Sequence, residues 1–347
     1  MIIKIKNKRY DFFNTVNINL RYDSVGSTFS FNAYFNPDNK DHRELFHVGH
    51  YHPITIEHMD ELLISGIFLS ETFRDSAKKL STPFGGYSLP GVLEDCQIPT
   101  SIYPLESNGL SLREIAQKLV RPFKLQIVID SSVRSRMNQV YDKTTANETQ
   151  TISSYLSELA SERNIILSHT PKGELLFTQA NTTKKPIMDF NLPEGGSIPE
   201  TKMQLSFNGQ RMHSIITVVK QADLDGGNAG QSSVKNPFVP FTFRPKVIVQ
   251  NSGDDNNTLE VAKNALASEL KNVKLTVTVD RWDIDGKTIT PNNLISVIAP
   301  DLYLYSKTNW FIESVNLLGD NKKETAVLNC VLPEVFNGKT PIYIFEV

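Results

Sequence analysis

Cysteine is nearly missing from this sequence of 347 residues: only Cys96 and Cys330 occur. Two cysteines so far apart, with no CxxC spacing, exclude a disulfide scaffold and a tetrahedral zinc site, and both read as small buried hydrophobes. Long apolar runs are missing too, because charges or turn residues interrupt every hydrophobic stretch before the roughly 20 residues that a membrane-spanning helix needs. An excess of one charge is likewise lacking: 36 Lys and Arg stand against 38 Asp and Glu, a formal charge of −2. No global cationic field would draw such a chain to nucleic acid or to an anionic membrane. The first residues, Met1 to Asn7, alternate apolar and basic side chains without the apolar core of a secretory signal. They read as a first strand of a chain that stays in the cytoplasm.

Catalytic signatures are equally scarce. There is no HExxH, no GxSxG elbow, no GxxxxGK[ST] phosphate loop and no GxGxxG fingerprint. His47, His50 and His52 are the residues that most resemble metal ligands, and only Glu57, His58 or Asp60 could complete a set; solvent-facing or interface histidines are the better reading. Glu94 and Asp95 are adjacent, so on a strand they would point to opposite faces, as a turn or a charge contact at a subunit boundary and not as a glycosidase pair. The run Asp223 to Gly227 starts like a calcium loop but continues with Ala229, Gly230 and Gln231 where acids would be needed. Trp282 and Trp310 fall in strand patterns, where a large apolar core group is expected before a sugar-stacking one. No catalytic residue, metal or cofactor is expected.

What is present is mostly β patterning. From Met1 to about Thr100 short strands alternate with turns: Val16, Ile18 and Leu20 against Asn17, Asn19 and Arg21, then Phe29, Phe31 and Tyr34, then Leu45 to Val48, Ile54 to Glu57 and Leu62 to Ser70. Gly49 and Gly66 stand where a small barrel would bend or bulge. So many strands in so short a segment predict a closed or nearly closed barrel. At Ser111 the grammar changes. Ser111 and Glu114 have capping-box spacing, and Leu112, Ile115, Ala116 and Leu119 follow a helical period that Pro122 ends. A strand over Leu125 to Ile129 follows, then a second helix with Ile152, Tyr155, Leu156 and Leu159 and strands near Ile165 to Leu167 and Glu174 to Thr178. Two helix-then-strand units predict a compact α+β module.

The segment Asn181 to Pro199 reads as a linker. Beyond it lie strands near Met203 to Phe207 and Ser214 to Lys220, an anchorless loop from Ala222 to Ser233, a strand segment Phe241 to Gln250 and a helix capped near Thr258. Strands then resume at Lys274 to Trp282, Leu294 to Ile298, Trp310 to Leu317 and Thr325 to Leu332. The predicted class is α+β and mostly β: two tube-like β-barrels, over 1–107 and 184–347, with a small α+β domain over 108–183 between them and one helix flanking the second barrel.

The stretch Gly85-Gly-Tyr-Ser-Leu-Pro-Gly-Val-Leu-Glu-Asp-Cys-Gln-Ile-Pro99, the helix and strand Ser111 to Asp130, the segment Glu148 to Phe177, Arg244-Pro-Lys-Val-Ile-Val249, and the order Trp282, Gly286, Pro291, Asn292 together resemble the baseplate hub proteins of Mu-like contractile phages, related to late-control and VgrG-type tail proteins. The resemblance implies a structural protein of the virion tail, assembled in the bacterial cytoplasm. It also implies a homotrimer whose two barrels per subunit make a ring of six, matching a sixfold tail tube on one side and a trimeric central spike on the other. Its partners would be itself, the tube or a tube-initiating protein, the spike and other baseplate proteins, with DNA only in transit through the central opening. Assembly candidates are Gly85, Gly86, Pro90 and Gly91, which would shape a turn, with Glu94 and Asp95, and Asp223 and Asp225 in the Ala222 to Ser233 loop. The competing readings are a glycan-binding tail module and a cell-wall hydrolase.

Overall fold

Period-2 alternation in the first hundred residues produces antiparallel strands. The structure, a computed structural model, describes residues 1–73, 81–191, 201–220, 230–250, 257–320 and 322–345. Its chain divides into two units. The first is Met1–Gln179 with Asp280–Pro291 and Ser314–Val327; the second is Ala180–Val279 with Asn292–Glu313 and Leu328–Val347.

The first unit begins with β1 (Ile2–Ile5), β2 (Lys8–Tyr10), β3 (Phe13–Arg21), β4 (Thr28–Ala33), β5 (Pro53–His58), β6 (Glu61–Glu71) and β7 (Thr82–Ser88). They pair in the order β3-β4-β7-β6-β5-β1-β2. One face carries Val16, Ile18, Phe29, Phe31, Ile54, Ile56, Phe68 and Phe84, all buried, and the rings of Phe46 and Phe84 stack at 4.2 Å inside it. Leu45 to Val48 does not form the expected strand. The Asn39 side chain accepts from the backbone N–H groups of Asp41 and His42 and caps a short helix, Lys40–Leu45, whose end buries Leu45 and Phe46.

The α+β module follows in the same unit. Ser111 closes the expected capping box: its hydroxyl accepts from the Glu114 backbone and Glu114 reaches back to the Ser111 backbone, which starts the helix Leu112–Val120. A second helix, Ile152–Glu162, is capped by Thr151. Both lay their apolar faces on β8 (Ile127–Ile129), β9 (Ile166–His169) and β10 (Leu175–Thr178), in a core that includes Leu112, Ile115, Leu119, Ile152, Leu156, Leu159, Leu175 and Phe177. β10 lies parallel to β8 and antiparallel to β9.

The second unit contains β11 (Met188–Asn191), β12 (Thr201–Phe207), β13 (Ile215–Lys220), β14 (Gln231–Lys235), β15 (Pro245–Gln250) and β16 (Val273–Val279). β12 and β16 pair antiparallel. β13, β14 and β15 do not join them; they form a separate sheet in the order β14-β13-β15, with β13 and β15 parallel and the helix Thr258–Leu270 packed on β13 and β14. The single flanking helix of the predicted second barrel is thus the cover of a small α/β layer of its own. Its cap is Asn257, one residue before the expected Thr258. The strand Gln231–Lys235 also shortens the predicted Ala222 to Ser233 loop, since Gln231 to Ser233 pair with β13.

Five strands close the chain: β17 (Asp283–Ile284), β18 (Lys287–Thr288), β19 (Leu294–Ala299), β20 (Leu304–Asp320) and β21 (Glu324–Val331). In the second unit β19 pairs parallel with β11 and antiparallel with the first half of β20. In the first unit Ser314 to Asp320 of β20 pair with β3, and β17 and β18 turn through Asp285 and Gly286, both at positive φ. The pairing path of the first unit ends at β2, with no described pairing that returns it to β20 or β21. The protein is therefore a mostly β α+β fold with a large antiparallel sheet and small mixed sheets, and neither expected barrel closes among the described residues. In the first unit the path stops at β2, which is three residues long and among the described residues pairs with β1 alone.

Trp282 anchors the returning strands. Its ring is 1% exposed, and its Nε1–H donates to the carbonyls of Leu318 at 3.0 Å and Thr325 at 3.1 Å. Gly319 makes room: a Cβ there would stand 2.7 Å from the indole. Trp282→Phe keeps the ring volume but leaves both carbonyls short of a buried donor, so denaturant unfolding should show a loss of about 1–3 kcal/mol; an unchanged midpoint would refute the bridging role.

Candidate assembly site

The segment after β6 was expected to be a turn shaped by glycines. Gly85 and Gly86 are instead inside β7, each paired with β4 and β6. Their lack of a side chain serves close approach. A Cβ on Gly86 would collide with the Ile67 carbonyl oxygen and the Phe29 ring, and one on Gly85 would lie 3.1 Å from the Phe29 carbonyl oxygen. A register shift between Phe68 and Ser70 of β6 accompanies this crowding. Pro90 and Gly91 do turn the chain, in the 3-10 turn Leu89–Gly91 that runs into the short helix Val92–Asp95.

Gly91 is buried and wedged. A Cβ added to it would sit 2.6 Å from the Tyr87 ring, and one added to Gly26 would sit 2.9 Å from the Gly91 Cα. Two reciprocal bonds hold the two segments together: Ser27 N–H donates to Ser88 Oγ at 2.9 Å and Ser88 N–H to the Ser27 carbonyl at 2.8 Å. Glu94 and Asp95 lie on the helix and not on a strand. Glu94 Oε1 accepts from the Ser24 hydroxyl at 2.8 Å, and Asp95 Oδ2 accepts from the Tyr87 hydroxyl at 2.8 Å, so burial and the adjoining carboxylate push the Tyr87 phenol above its ordinary range. Leu93 and Ile98 then enter the α+β core, and the Ile152 N–H donates to the Cys96 carbonyl at 3.0 Å. Cys96 is only half-buried, whereas Cys330 is buried as expected. Asp223 and Asp225 lie outside the described residues.

His169, at the end of β9, was not singled out by sequence, because an isolated histidine after an apolar strand has no motif around it. It sits against the same two segments. Nδ1 is 2.8 Å from the Ser24 carbonyl and Nε2 is 2.7 Å from the Ser27 hydroxyl. A carbonyl only accepts, so Nδ1 carries the proton, and Nε2 accepts from Ser27. Both ring nitrogens are satisfied in the neutral form. Burial, with Arg21 nearby, lowers the pKa of this imidazole despite the carbonyl contact, which acts in the opposite direction. Opposite it, the hairpin tip at Pro171 accepts from the Ser65 N–H at 2.8 Å, and Gly173, at φ +82°, fits under Leu89.

The remaining histidines are scattered in role. His47 and His50 stack with ring centroids 3.8 Å apart. His52, read from sequence as a solvent-facing or interface histidine, is not solvent-facing here, and His58 is buried too: His52 Nε2 contacts the Glu44 carbonyl and His58 Nδ1 the Thr288 hydroxyl. No group of three His, Cys, Asp or Glu side chains suited to a metal occurs among the described residues. Trp282 and Trp310 are 1% and 0% exposed, so neither ring is available to stack on a sugar.

Two surfaces of opposite character stand out. On the small β14-β13-β15 sheet, Val247 and Val249 of the edge strand β15 are exposed, and Phe241 and Phe243 just before it are 94% and 83% exposed. On the sheet of the first unit, the solvent face of β20, β3 and β4 carries mainly small polar groups, with Leu318 and Asp320 among them, and two open clefts.

Residues 90–179 match the family described as "Baseplate hub protein gp44-like, second domain". The match starts at Pro90, where the chain leaves β7. No curated protein matches the chain by sequence. Among solved structures the chain is similar to the 43 kDa tail protein of prophage MuSo2 from Shewanella oneidensis, with TM-score 0.77 and 20% identity over 97% of this chain and 99% of that one. A tail protein from Neisseria meningitidis MC58 gives TM-score 0.78 and 18% identity over 98% of each chain. The prophage tail protein gp18 from Listeria monocytogenes gives 0.60 and 11% over 94% of this chain and 93% of that one. At these identities the likeness is one of fold.

Two measurements probe the junction. Gly91→Ala should lower stability by about 1–3 kcal/mol through overpacking against Tyr87, read from denaturant midpoints; no loss would mean that the ring has room to move. His169 has a folded pKa below its unfolded one, so its contribution is complete above the ordinary histidine range near pH 6.5 and is lost as pH falls toward the folded value. Wild type should therefore exceed His169→Gln in stability by more at pH 7.5 than at pH 5; an equal gap at both would contradict a neutral buried imidazole.

Proposed function

We propose that the chain is a structural hub of a contractile-tail baseplate, acting by assembly and not by turnover. The match of residues 90–179 to the hub-domain family carries this reading. The full-length fold shared with phage tail proteins supports it. In this reading 1–107 and 184–347 supply two tube-like β domains and 108–183 a peripheral module. Three copies place six such domains around a central opening, adapting a sixfold tube to a trimeric spike.

The open strand path of the first unit accords with ring formation. Edge strands present unpaired N–H and C=O groups that a neighbouring copy can satisfy. The Gly85 to Asp95 segment serves assembly indirectly, by fixing the α+β module on the first sheet through Gly91, Glu94, Asp95 and His169. Asp223 and Asp225 remain candidates for contact with a partner specific to this tail. A glycan-binding module is less well supported, since Trp282 and Trp310 are both sealed in the core. A hydrolase acting through Glu94 and Asp95 is less well supported too, since both carboxylates accept from hydroxyls of the protein itself.

Light scattering of the purified protein should give a mass near three times 39.1 kDa, with ring-shaped particles in negative stain. A compact monomer at all concentrations would overturn the hub reading. Replacing residues 221–229 with a Gly-Ser linker of equal length spares β14 and should leave the trimer intact while weakening attachment of a partner; full baseplate assembly by that variant would remove Asp223 and Asp225 from the contact.

A further inference from the structure

His169 joins two parts of the first unit that each have a core of their own. The α+β module closes around Leu112, Ile115, Leu156, Leu159 and Phe177. The first sheet closes around Phe31, Phe46, Phe68 and Phe84, whose rings pack on one another. Both parts lie within Met1–Gln179. They meet where the turn between β3 and β4 touches the end of β9. That turn gives the Ser24 carbonyl and the Ser27 hydroxyl to His169, the Ser24 hydroxyl to Glu94 and Val25 to the module core. The β9–β10 hairpin returns the Pro171 carbonyl to the Ser65 N–H.

The hydrogens at this meeting point leave no place for a second ring proton. Nδ1–H is committed to the Ser24 carbonyl, which can only accept. The Ser27 hydroxyl accepts from the Arg21 backbone N–H at 3.1 Å and gives its own hydrogen to Nε2. A proton on Nε2 would make that hydroxyl the acceptor of two donors and displace its hydrogen, for which no other acceptor stands in contact among the described residues. His169 is only partly covered, but both of its nitrogens are turned onto buried partners, Ser24 and Ser27.

The surrounding charge does not favour a cation either. Arg21 and Asp23 lie at the end of β3 and in its turn, Glu94 and Asp95 on the short helix, and Lys172 and Glu174 on the hairpin. Three of the carboxylates are taken by hydroxyls: Glu94 by Ser24, Asp95 by Tyr87 and Glu174 by Thr170. Burial is the main influence that keeps the ring neutral, the Ser24 carbonyl opposes it, and the charge that bears on the ring is that of Arg21, of the same sign as an imidazolium. With the junction open and the ring in water these penalties vanish, so a proton favours opening.

We propose that His169 is an acid-sensitive latch: when its ring takes up a proton, the α+β module parts from the first sheet while each keeps its own core. The latch is a property of a single copy of the chain and goes beyond the hub reading. The closed form is complete above about pH 6.5, where an open histidine is neutral, and weakens as pH falls, by at most about tenfold per pH unit for one proton. Such an opening is local, confined to the segments that meet at the junction.

Hydrogen–deuterium exchange of the full chain at a series of pH values from 7.5 to 5.0, corrected for the intrinsic pH dependence of amide exchange, tests this. Protection of the segments 22–27, 61–66 and 166–174 should fall about tenfold or more across the series, while β4 and the helix Ile152–Glu162 keep theirs. His169→Gln offers an amide N–H to Ser24 and an oxygen to Ser27 without titrating, and should hold its protection throughout. Unchanged protection in the wild type overturns the latch. So does an equal loss in His169→Gln, which would put the sensor elsewhere, and so does a simultaneous loss over β4 and Ile152–Glu162, which would be global unfolding. The wild-type series decides by itself if the variant folds poorly, since a slope steeper than tenfold per pH unit means more than one proton and excludes a latch made of His169 alone.

Discussion

The contact between Gly26 and Gly91 is the constraint on which the first unit depends. Neither position tolerates a side chain, because a Cβ on Gly26 would meet the Gly91 backbone at 2.9 Å and one on Gly91 would meet the Tyr87 ring at 2.6 Å. Only at that separation can Ser27 and Ser88 exchange their two hydrogen bonds, and only then does the chain leaving β7 reach the α+β core with Leu93 and Ile98. His169 reads the same geometry from the other side, through Ser24 and Ser27. A buried polar cluster of this kind is costly unless every group is paired. Here the hydroxyls, carbonyls and imidazole satisfy one another with the imidazole neutral.

That junction bears on function through rigidity. Its energetics lie in packing and register. The shifted pKa values fit this view. The phenols of Tyr10, Tyr87 and Tyr141 are all pushed upward mainly by burial, and His58 and His169 are lowered by the same cause. The clefts of the first sheet combine asparagine, serine and threonine with Val16, Phe31 and Leu318, and Asp320 and Lys323 also line the larger one.

Surface chemistry is divided between the two units. The first presents a mainly polar face on a long antiparallel sheet; the second presents Phe241, Phe243, Val247 and Val249 at the edge of a short one. Apolar side chains in that number at a sheet edge are a liability in a free monomer and an asset in an assembly.

Local physics was legible in the sequence. The capping box at Ser111 and Glu114, the helices at Leu112 and Ile152, the alternation of β3 and β4 and the burial of Trp282 and Trp310 all follow from spacing and side-chain type, which act within a few residues. The order of family motifs likewise pointed to a hub protein before any contact was known. Tertiary structure alone decided the rest. It placed Gly85 and Gly86 within a strand, because the reason for glycine there is the backbone of Phe29 and Ile67, distant in sequence. It turned Leu45 to Val48 into the end of a helix and the turn that follows it, separated β13 to β15 from the other strands of their unit, and recruited His169, whose partners lie about 145 residues away. The polar face exists only through the register of β20, β3 and β4, since strand pairing, and not sequence proximity, sets Asn316 beside Asn19 and Asn17 beside Ser30.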